Sequence, residues 1–333
     1  MTIPLESIPA FTQAEALAAA SEQYGLTGAA SALPSERDQH FLIADARRGN
    51  FVLKIANSND ALELLDCQNQ AMRQVEKAVE DYRVPRVVRS LEGAEITTIH
   101  DARSGRDHGM RLLTWMEGIV LAKCAARSPV LYDSIGAGVA RIDAALYDFS
   151  HPAMRRVLQW DLRRAGMARE HAVLLPQDRR ARVERLFLTW EAIDWNSLRY
   201  SAIHGDANDH NVLIVDGRMA GLLDFGDMVY SATVCGLAVA LAYTMLGERE
   251  PLSVAAQVVR AYQRHSPLTV ADRGALFPLI LARLAMSVCY SAHNRARNPG
   301  DSYQVVSETA AWDLLDKLER WSVQDELALV RPQ

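Results

Sequence analysis

The sequence HGDANDHN at residues 204–211, followed by LLDFGD at residues 222–227, says more about this chain than any other stretch. Asp206 is followed five residues later by Asn211, and Asp224 lies beyond a short hairpin. Phosphoryl transfer from a nucleotide–Mg²⁺ complex needs such a set of side chains. The first Asp orients or deprotonates the acceptor hydroxyl, while the Asn and the second Asp supply the oxygen ligands that Mg²⁺ prefers. The pattern predicts a small-molecule kinase with Asp206 as the catalytic residue and Asn211 and Asp224 as metal ligands.

The segment between the two motifs predicts a β-hairpin that brings these side chains together. Residues 212–215 and 219–223 are mostly apolar, and the Asp-Gly pair between them is a strong turn signal. A two-residue loop places Asn211 opposite Leu222 in the paired strands. We therefore expect Asn211 and Asp224 to emerge at the same end of the hairpin, close enough to share a metal ion.

Two other interpretations of these motifs were weighed. His204, Asp206 and His210 are residue types that bind Zn²⁺ or Fe²⁺. Their spacing lacks the helical or CxxC context that marks such sites, and His204 is better explained as a residue that braces the loop. A purely structural Asp- and Asn-rich loop explains either motif alone, but not both motifs at this spacing across a hairpin.

Composition narrows the class of protein further. The chain has 333 residues, of which 49% are hydrophobic and 23% charged, and this length suggests two domains or lobes. The formal net charge of −5 argues against a nucleic-acid binder, which normally carries a basic stripe. The composition is therefore that of an ordinary globular protein with enough apolar residues for a large core.

The cysteines and one uncharged segment bear on localisation. The four cysteines are scattered without CxxC spacing, which indicates buried thiols in a reducing compartment, so we expect a cytoplasmic protein. Residues 228–247 carry no charge over about 20 residues, the length of a membrane span. The segment is rich in Ala, Ser, Thr, Gly and Tyr, however, and predicts a buried helix of a large helical lobe with no membrane contact.

The order of the elements predicts the fold class. Residues 12–24 predict a helix with a capping box formed by Thr12 and Glu15, and residues 39–44 and 50–56 predict an antiparallel hairpin. The other predicted elements are a helix at 61–79, strands at 84–90, 94–100 and 109–115, and helices at 134–147, 179–194, 231–246, 252–263, 272–294 and 307–321. This order predicts an α+β fold with a small mixed-sheet N-lobe and a larger C-lobe, which is helical apart from the hairpin of the metal site.

Candidate nucleotide contacts lie in the first part of the chain. Lys54 is the lone charged residue in the apolar strand FVLKIA at residues 51–56. Burying an unpaired charged side chain costs free energy, so a lysine at this position suggests a functional role. A strand lysine of this type contacts nucleotide phosphates in kinases. Ser35 lies in the polar connector 33–39 and is placed to donate to phosphate oxygens. The pair Gly136 and Gly138 lacks the third glycine of a dinucleotide fingerprint and predicts close helix packing instead.

These segments together resemble the aminoglycoside phosphotransferase/choline kinase superfamily, and within it most closely the hydroxylysine kinase-like group. The carrying segments are SERDQHF at 35–41, FVLKI at 51–55, RLLTWMEG at 111–118 and the two motifs of the hairpin. The resemblance extends over nearly the whole chain. It implies a bilobal protein-kinase-like fold with a nucleotide-binding lobe at residues 1–113, a hinge at 114–118 and a catalytic and substrate-binding lobe at 119–333.

The resemblance also implies roles for single residues. The purine would lie against a hinge segment, and Lys54 would bind the phosphates of ATP or GTP. One departure concerns the helix after the lysine strand, where many relatives have a Glu that pairs with the lysine. Here Gln68 occupies that position, with Glu63 as a substitute. The hinge residues are Thr114, Trp115 and Met116.

The acceptor is expected to be the hydroxyl of a small amine-bearing alcohol or hydroxy-amino acid, with hydroxylysine as the leading candidate. Asp209 and Asp227 are placed to attract an ammonium group, with turn formation as the alternative role. Arg283, on an apolar helix, would bind a substrate carboxylate or form a buried ion pair. A homoserine, choline or aminoglycoside kinase and a non-catalytic nucleotide-binding scaffold remain as alternatives.

Overall fold

The computed structural model describes residues 7–35, 37–79, 82–297 and 308–319. The chain divides into two compact units. Unit 1 comprises Met1–Arg73 and Val84–Glu117, and unit 2 comprises Gln74–Arg83 and Gly118–Gln333.

Unit 1 is built on an antiparallel sheet. Its strands are β1 (Ala29–Leu33), β2 (Gln39–Asp45), β3 (Gly49–Ile55), β4 (Val87–Val88), β5 (Thr97–Asp101) and β6 (Arg106–Thr114). The strand order is β1-β2-β3-β6-β4, and β5 also pairs with β6. The hairpin predicted from residues 39–56 is therefore confirmed as β2 and β3.

Two helices accompany this sheet, α1 (Gln13–Tyr24) and α2 (Leu62–Ala78). The last residues of α2, from Gln74 onward, belong to unit 2. Helix α1 begins with the predicted capping box, in which Thr12 accepts from the Glu15 N–H and the Glu15 side chain accepts from the Thr12 N–H. It ends at Gly25, which has a φ of 65° and closes the helix in the left-handed conformation. The local sequence signals thus set both ends of this helix.

Unit 2 is mainly helical. Its helices are α3 (Pro129–Leu146), α4 (Gly166–Arg169), α5 (Gln177–Glu191), α6 (Val234–Thr244), α7 (Pro251–Gln263), α8 (Val270–Arg297) and α9 (Glu308–Leu318). Its strands are β7 (Ile119–Val120), β8 (Tyr200–Ile203), β9 (Val212–Val215), β10 (Arg218–Leu222) and β11 (Val229–Ala232). Strands β7, β9 and β10 form one small sheet, and β8 pairs with β11 in another.

The predicted close packing around the two glycines of α3 is confirmed. A Cβ added to Gly136 would lie 2.2 Å from the carbonyl oxygen of Val258 in α7. A Cβ at Gly138 would lie 2.5 Å from the sulfur of Met219. Real Cβ atoms do not approach other atoms so closely, so glycine at these two positions lets α3 pack against its neighbours.

Three predictions of secondary structure need correction. The helix predicted at residues 231–246 begins only at Val234, because the preceding residues form strand β11 against β8. The predicted strand at 84–90 shrinks to the two residues of β4. The expectation that the hairpin is the one non-helical part of the second lobe is wrong, since pairing with distant strands overrode the local helical pattern. Residues 307 and 321, at the ends of the last predicted helix, lie outside the described residues.

The uncharged segment after the second motif forms the interior of unit 2. Every residue of α6 is buried, in agreement with the predicted core helix. Among the described residues, α8 is the one helix long and apolar enough to span a membrane. Most of its apolar stretch is buried inside the protein, as is typical of a core helix.

Candidate active site

The hairpin formed by β9 and β10 supplies the framework of the site. Its turn residues Asp216 and Gly217 have φ values of 49° and 68°, as a two-residue type I′ turn requires. A bulge between Met219 and Gly221 shifts the register, so that the Leu223 N–H donates to the Asn211 carbonyl at 2.8 Å. The prediction that Asn211 lies opposite Leu222 is therefore wrong by one residue, because a bulge adds a residue to one strand.

His204 braces the loop that leads into the hairpin. Its Nδ1 accepts a hydrogen bond from the Asp206 N–H at 3.3 Å, so the proton lies on Nε2, which donates to the Leu223 carbonyl at 2.9 Å. Both ring nitrogens are thus used within the protein, and His204 has none to offer a metal ion. The alternative of a Zn²⁺ or Fe²⁺ site at His204 finds no support in this geometry.

Gly205 allows the sharp turn between His204 and Asp206. Its φ is 78°, a conformation that side chains rarely adopt. A Cβ at this position would lie 2.5 Å from the carbonyl oxygen of Asp227. The glycine of the first motif is therefore needed where the loop passes against the second motif.

Asp206 is held by three side chains. Its Oδ2 accepts from the amide nitrogens of Asn208 and Asn211, both at 2.9 Å. Its Oδ1 accepts from Nη2 of Arg283 at 2.7 Å. Burial raises the pKa of Asp206 to about 7, with Arg283 acting to lower it and the negative charges of Asp227 and Asp224 adding to the rise. The candidate catalytic carboxyl group is therefore oriented by the protein and retains 17% side-chain exposure.

Asp224 and Asp227 lie on the loop that follows β10. Asp224 has a φ of 51°, and its Oδ1 accepts from the Gly226 N–H at 3.1 Å. The guanidinium group of Arg156 donates to the carbonyl oxygens of Gly226 and Met228 and so holds the loop from outside. Arg156 was missed by the sequence reasoning, since nothing near position 156 marks it as a partner of a loop about 70 residues away.

The donor set around Asp206 fits a hard divalent cation. The Asn211 amide nitrogen donates to Asp206, so its amide oxygen is not used in this contact and is the atom that can bind a metal ion. Asp224 and Asp227 are half-buried acids whose charges reach Asp206. Among the described residues, no cluster of three or more His, Cys, Asp or Glu side chains forms a complete metal site. Mg²⁺ commonly binds through one or two carboxylates together with substrate phosphates, and this set matches that habit.

The three predicted substrate residues have different environments. Arg283 is buried and pairs with Asp206, which is the ion-pair role weighed for it. Asp227 is half-buried near Asp206. Asp209 is only 7% exposed, and burial raises the pKa of its carboxyl group. Of the two candidate ammonium partners, Asp227 is thus the more accessible.

In unit 1, Lys54 lies in the middle of a row of basic residues. The strand register places it directly opposite His40 on β2 and Arg111 on β6. Burial acts to raise the pKa of Asp38, but the hydrogen bond from His40 and the charge of Lys54 lower it below its usual value. Asp38 thus supplies negative charge near Lys54. The register of the β2–β3 hairpin could have predicted this position, because Asp38 immediately precedes β2.

Gln68, the residue in place of the usual Glu, contacts Arg111. Its Oε1 accepts from Nη2 of Arg111, while Asn69 Oδ1 and the Leu65 carbonyl accept from Nη1 at 2.8 and 3.2 Å. Gln68 and Asn69 are both buried, whereas Glu63 is exposed. The part of α2 that belongs to unit 1 therefore holds Arg111 with its polar groups. The sequence did not single out this arginine.

Of the predicted hinge residues, Thr114 is the last residue of β6, and Trp115 and Met116 follow it. The Thr114 N–H donates to the Arg86 carbonyl at 2.9 Å and the Trp115 N–H to the Asn50 carbonyl at 3.2 Å. These two groups are thus used within unit 1. Thr114, Trp115 and Met116 are half-buried, as is Ser35 in the connector after β1.

Several known enzymes are similar in sequence to this chain, and two of those named here align with most of it. Hydroxylysine kinase of Mus musculus is 29% identical over 340 residues, covering 93% of this chain and 90% of that enzyme. Hydroxylysine kinase of Bos taurus is 28% identical over 341 residues with the same coverage. Homoserine kinase of Rhodospirillum rubrum is 29% identical over 213 residues, or 63% of each chain.

Solved structures of kinases share the fold. Amicoumacin kinase hAmiN, solved in complex with AMP-PNP, Ca²⁺ and Ami, superimposes with a TM-score of 0.70 at 14% identity over 92% of this chain and 94% of its own. A microcompartment-associated aminopropanol kinase gives a TM-score of 0.68 at 16% identity over 94% and 98% of the two chains. The predicted fold class, a small mixed-sheet part and a larger helical part of the kinase-like type, is confirmed.

The sequence also matches a family profile over residues 30–277, which is more than half of the chain. The predicted resemblance and the predicted enzyme class, a phosphotransferase with an alcohol group as acceptor, are confirmed by this match and by the kinase relatives. The chain belongs to the phosphotransferase enzyme family that this profile describes, known as APH.

Proposed function

We propose that this protein is a small-molecule kinase that transfers the γ-phosphate of ATP or GTP to the hydroxyl group of an amino alcohol or hydroxy-amino acid. Hydroxylysine is the leading acceptor. The observation that carries the proposal is the Asp206 carboxylate, which three side chains hold beside Asn211, Asp224 and Asp227. This set combines a base whose orientation is fixed by hydrogen bonds, Asp206, with oxygen ligands for a divalent cation.

Asp206 would hold the acceptor hydroxyl in line with the phosphorus atom and receive its proton. Phosphoryl transfer passes through a loose transition state, so catalysis consists mainly of positioning and charge stabilisation. A carboxyl group with a pKa of about 7 is well matched to proton transfer near neutral pH. Asn211 and Asp224 would hold the cation, and bound Mg²⁺ would neutralise charge on the transferring phosphate.

Unit 1 would bind the nucleotide. Lys54 would contact the phosphates, Ser35 would donate to them, and Thr114–Met116 would lie against the purine. Since the N–H groups of Thr114 and Trp115 are used within unit 1, we propose that Met116 supplies the N–H for the base. Residues 1–113, 114–118 and 119–333 would serve as nucleotide lobe, hinge and catalytic lobe.

The acceptor class rests on the relatives and on charge. The related enzymes act on hydroxylysine and homoserine, and a structural neighbour acts on aminopropanol. All three compounds place an amine near a hydroxyl group. Asp227 is a half-buried carboxyl group close to Asp206 and would attract the ammonium group of such an acceptor. The scattered cysteines further lead us to propose a cytoplasmic location.

The test is nucleoside diphosphate release with Mg²⁺, with ATP and GTP assayed separately. The acceptors are hydroxylysine, homoserine, threonine, ethanolamine, 1-amino-2-propanol, choline and an aminoglycoside. We expect release that depends on an amine-bearing acceptor, and Asp206→Ala should lack it. Nucleotide binding without release for any acceptor would favour a scaffold, and release with the aminoglycoside alone would favour a resistance kinase.

A second arm tests the nucleotide contacts by comparing Lys54→Met with Lys77→Met. Lys54 is buried on β3, whereas Lys77 is an exposed lysine in the last turn of α2. Because a charge-assisted hydrogen bond contributes roughly 1.5–3 kcal/mol, Lys54→Met should weaken nucleotide binding about 10- to 100-fold. Lys77→Met should bind like the wild type. Equal affinities of the two variants, measured by calorimetry, would remove Lys54 from the proposed site.

A further inference from the structure

We propose that Arg283 is a positioning residue for the transfer reaction: its guanidinium group fixes the rotation of the Asp206 carboxylate so that one oxygen faces the acceptor hydroxyl. The proposal rests on the proposed function, because it assigns a role within that reaction. It replaces the substrate-carboxylate role that the sequence suggested for Arg283. The residue would act through Asp206 and would not touch the acceptor.

The hydrogen bonds at Asp206 leave one acceptor position open. A carboxylate offers about four lone-pair sites, two on each oxygen. Asn208 and Asn211 occupy Oδ2 with two N–H donors, and Arg283 occupies one position on Oδ1. One position on Oδ1 then remains for the acceptor hydroxyl. The three donors thus specify which oxygen receives the proton and from which direction.

Arg283 itself has little freedom to move. It lies in the middle of α8, is 2% exposed, and donates through Nη1 to the Trp160 carbonyl at 3.2 Å. Its guanidinium carbon lies 4.5 Å from the centre of the Trp160 ring and 5.3 Å from that of Tyr243. Cation–π contacts of this kind are strongest where water is excluded. A donor fixed on two aromatic rings can fix the carboxylate that it contacts.

The contacts of Arg283 also disfavour a role in binding a substrate carboxylate. Bidentate binding of a carboxylate needs two N–H groups that face the ligand. Of the terminal nitrogens of Arg283, Nη2 donates to Asp206 and Nη1 to the Trp160 carbonyl. Nε is buried without a hydrogen-bond partner. The N–H groups left over belong to a side chain that is only 2% exposed, so an incoming carboxylate has no open access to a pair of them.

The same helix offers a matched control pair. Arg199 contacts Asp272 on α8 through Nε at 3.1 Å and Nη2 at 2.7 Å, and Asp272 is fully buried. This is also an Arg–Asp pair with one partner on α8, although here the carboxylate is the more buried partner, and it touches no residue of the candidate site. Substitutions at Arg199 report the cost of breaking a structural pair, so they separate loss of stability from loss of positioning.

The experiment compares Arg283→Gln and Arg283→Lys with Arg199→Gln and Arg199→Lys. For each variant kcat, the KM of nucleotide and acceptor, and the melting shift caused by the nucleotide are measured with the acceptor that the wild type uses. Misplacement of a reacting group by about 1 Å can cost about 100-fold in rate. We expect Arg283→Gln to lower kcat about 100-fold with both KM values within about twofold. Arg283→Lys should recover part of this loss, and the Arg199 variants should keep the wild-type kcat.

Three results would overturn the proposal. An acceptor KM that rises while kcat is kept would show that Arg283 binds substrate. An unchanged kcat in Arg283→Gln would show that the pair is structural, and so would an equal loss of kcat in the Arg199 variants. If Arg283→Gln shows no cooperative melting and is therefore unfolded, the kinetic constants of Arg283→Lys are judged by the same criteria. For that variant the rate of nucleotide hydrolysis by water is measured as well. Absence of turnover in the wild type would count against the proposed function and not against Arg283.

Discussion

Two carboxyl groups of unit 2 have pKa values raised to the same level by burial, yet they differ in their hydrogen-bond donors, in their neighbours and in their exposure. Burial raises the pKa of Asp206 and of Asp143 to about 7. Asp206 accepts hydrogen bonds from three side chains, one of them a guanidinium group, and lies near two further acids. Asp143, in α3, accepts from the Tyr262 hydroxyl at 2.8 Å and is 3% exposed.

The difference shows that a raised pKa reports burial and does not by itself mark a site. Asp143 is packed in the helical core, where a Cβ on Gly236 would lie 3.1 Å from its Oδ1. What sets Asp206 apart is the direction of its donors and its partial exposure of 17%. Structural carboxyl groups also titrate abnormally, so the assignment of a catalytic role must rest on geometry.

The sharpest test of this comparison is the pair Asp206→Asn and Asp143→Asn. Both changes are isosteric and replace a carboxyl group that can ionise by an amide that cannot. Asp206→Asn removes the base that the reaction needs, so kcat should fall by a factor on the order of 10³ or more. Asp143→Asn should keep kcat within about twofold, because the group touches nothing in the site. Steady-state kinetics with the best acceptor of the panel measures both.

Nucleotide-induced melting shifts provide the control for this pair. Both variants should bind the nucleotide like the wild type, since the proposed contacts of the base and phosphates lie in unit 1. Near-normal turnover by Asp206→Asn would contradict the assignment of Asp206. A comparable loss of kcat in Asp143→Asn would remove the distinction between the two groups.

The second test separates the two amides that contact Asp206. Asn208 and Asn211 donate to the same oxygen at the same distance of 2.9 Å. If Asn211 also binds the cation through its amide oxygen, Asn211→Ala should lower kcat about 100-fold and raise the Mg²⁺ concentration needed for half-maximal rate. Asn208→Ala should lower kcat about 10-fold without changing the Mg²⁺ requirement, as for loss of one orienting hydrogen bond of roughly 1.5 kcal/mol. Mg²⁺ titrations that coincide for both variants would leave Asn211 with an orienting role alone.

The sequence alone predicted the parts of the site that lie close together in the chain. Asp206, Asn211 and Asp224 could be predicted as neighbours because a short loop and an Asp-Gly hairpin fix their spacing locally, and their roles stay a prediction. Arg283 was noticed on its helix, but its contact with Asp206, 77 residues away, was not. Local spacing carries no information on which distant helix packs over a loop, so this partner had to come from the structure.

The same limit applies to the fold. Strand and helix patterns predicted the antiparallel hairpin of unit 1 and the succession of helices in unit 2. The bulge between Met219 and Gly221 was missed because nothing in an apolar run signals an extra residue. Strand β11 was missed because its four residues, Val229–Ala232, become a strand only by pairing with β8, about 30 residues earlier. Such short strands depend on tertiary contacts more than on propensity.

The third test uses the pH dependence of stability. The pKa of Asp143 is about 7 in the folded protein and near 3.8 in the unfolded chain. Between these values the unfolded chain releases its proton while the folded protein keeps it, so stability falls as pH rises from about 4 to about 7 and then levels off. At about 1.4 kcal/mol per pKa unit, a rise of about three units amounts to a loss on the order of 4 kcal/mol.

Asp143→Asn cannot titrate and should lack this part of the pH dependence. Urea unfolding of wild type and variant at pH 4.5, 6 and 8 measures the difference. The free energies of unfolding should diverge steadily in favour of the variant as pH rises. Parallel curves for the two proteins would mean that Asp143 is already ionised in the folded state at pH 6.

The smallest expected effect concerns the hydroxyl group that donates to Asp143. Tyr262→Phe removes this donor and should destabilise the protein by about 1 kcal/mol at pH 5, where Asp143 is neutral. The loss should be larger at pH 8, because an ionised carboxylate without its donor is more costly to bury. In the Asp143→Asn background the extra loss at pH 8 should vanish, which a double-mutant cycle measures directly. Activity should be unchanged throughout, whereas removal of any donor to Asp206 should lower it. A cycle with no pH-dependent coupling would show that Tyr262 and Asp143 do not stabilise each other's charge state, and the contrast between the two carboxyl groups would then rest on activity alone.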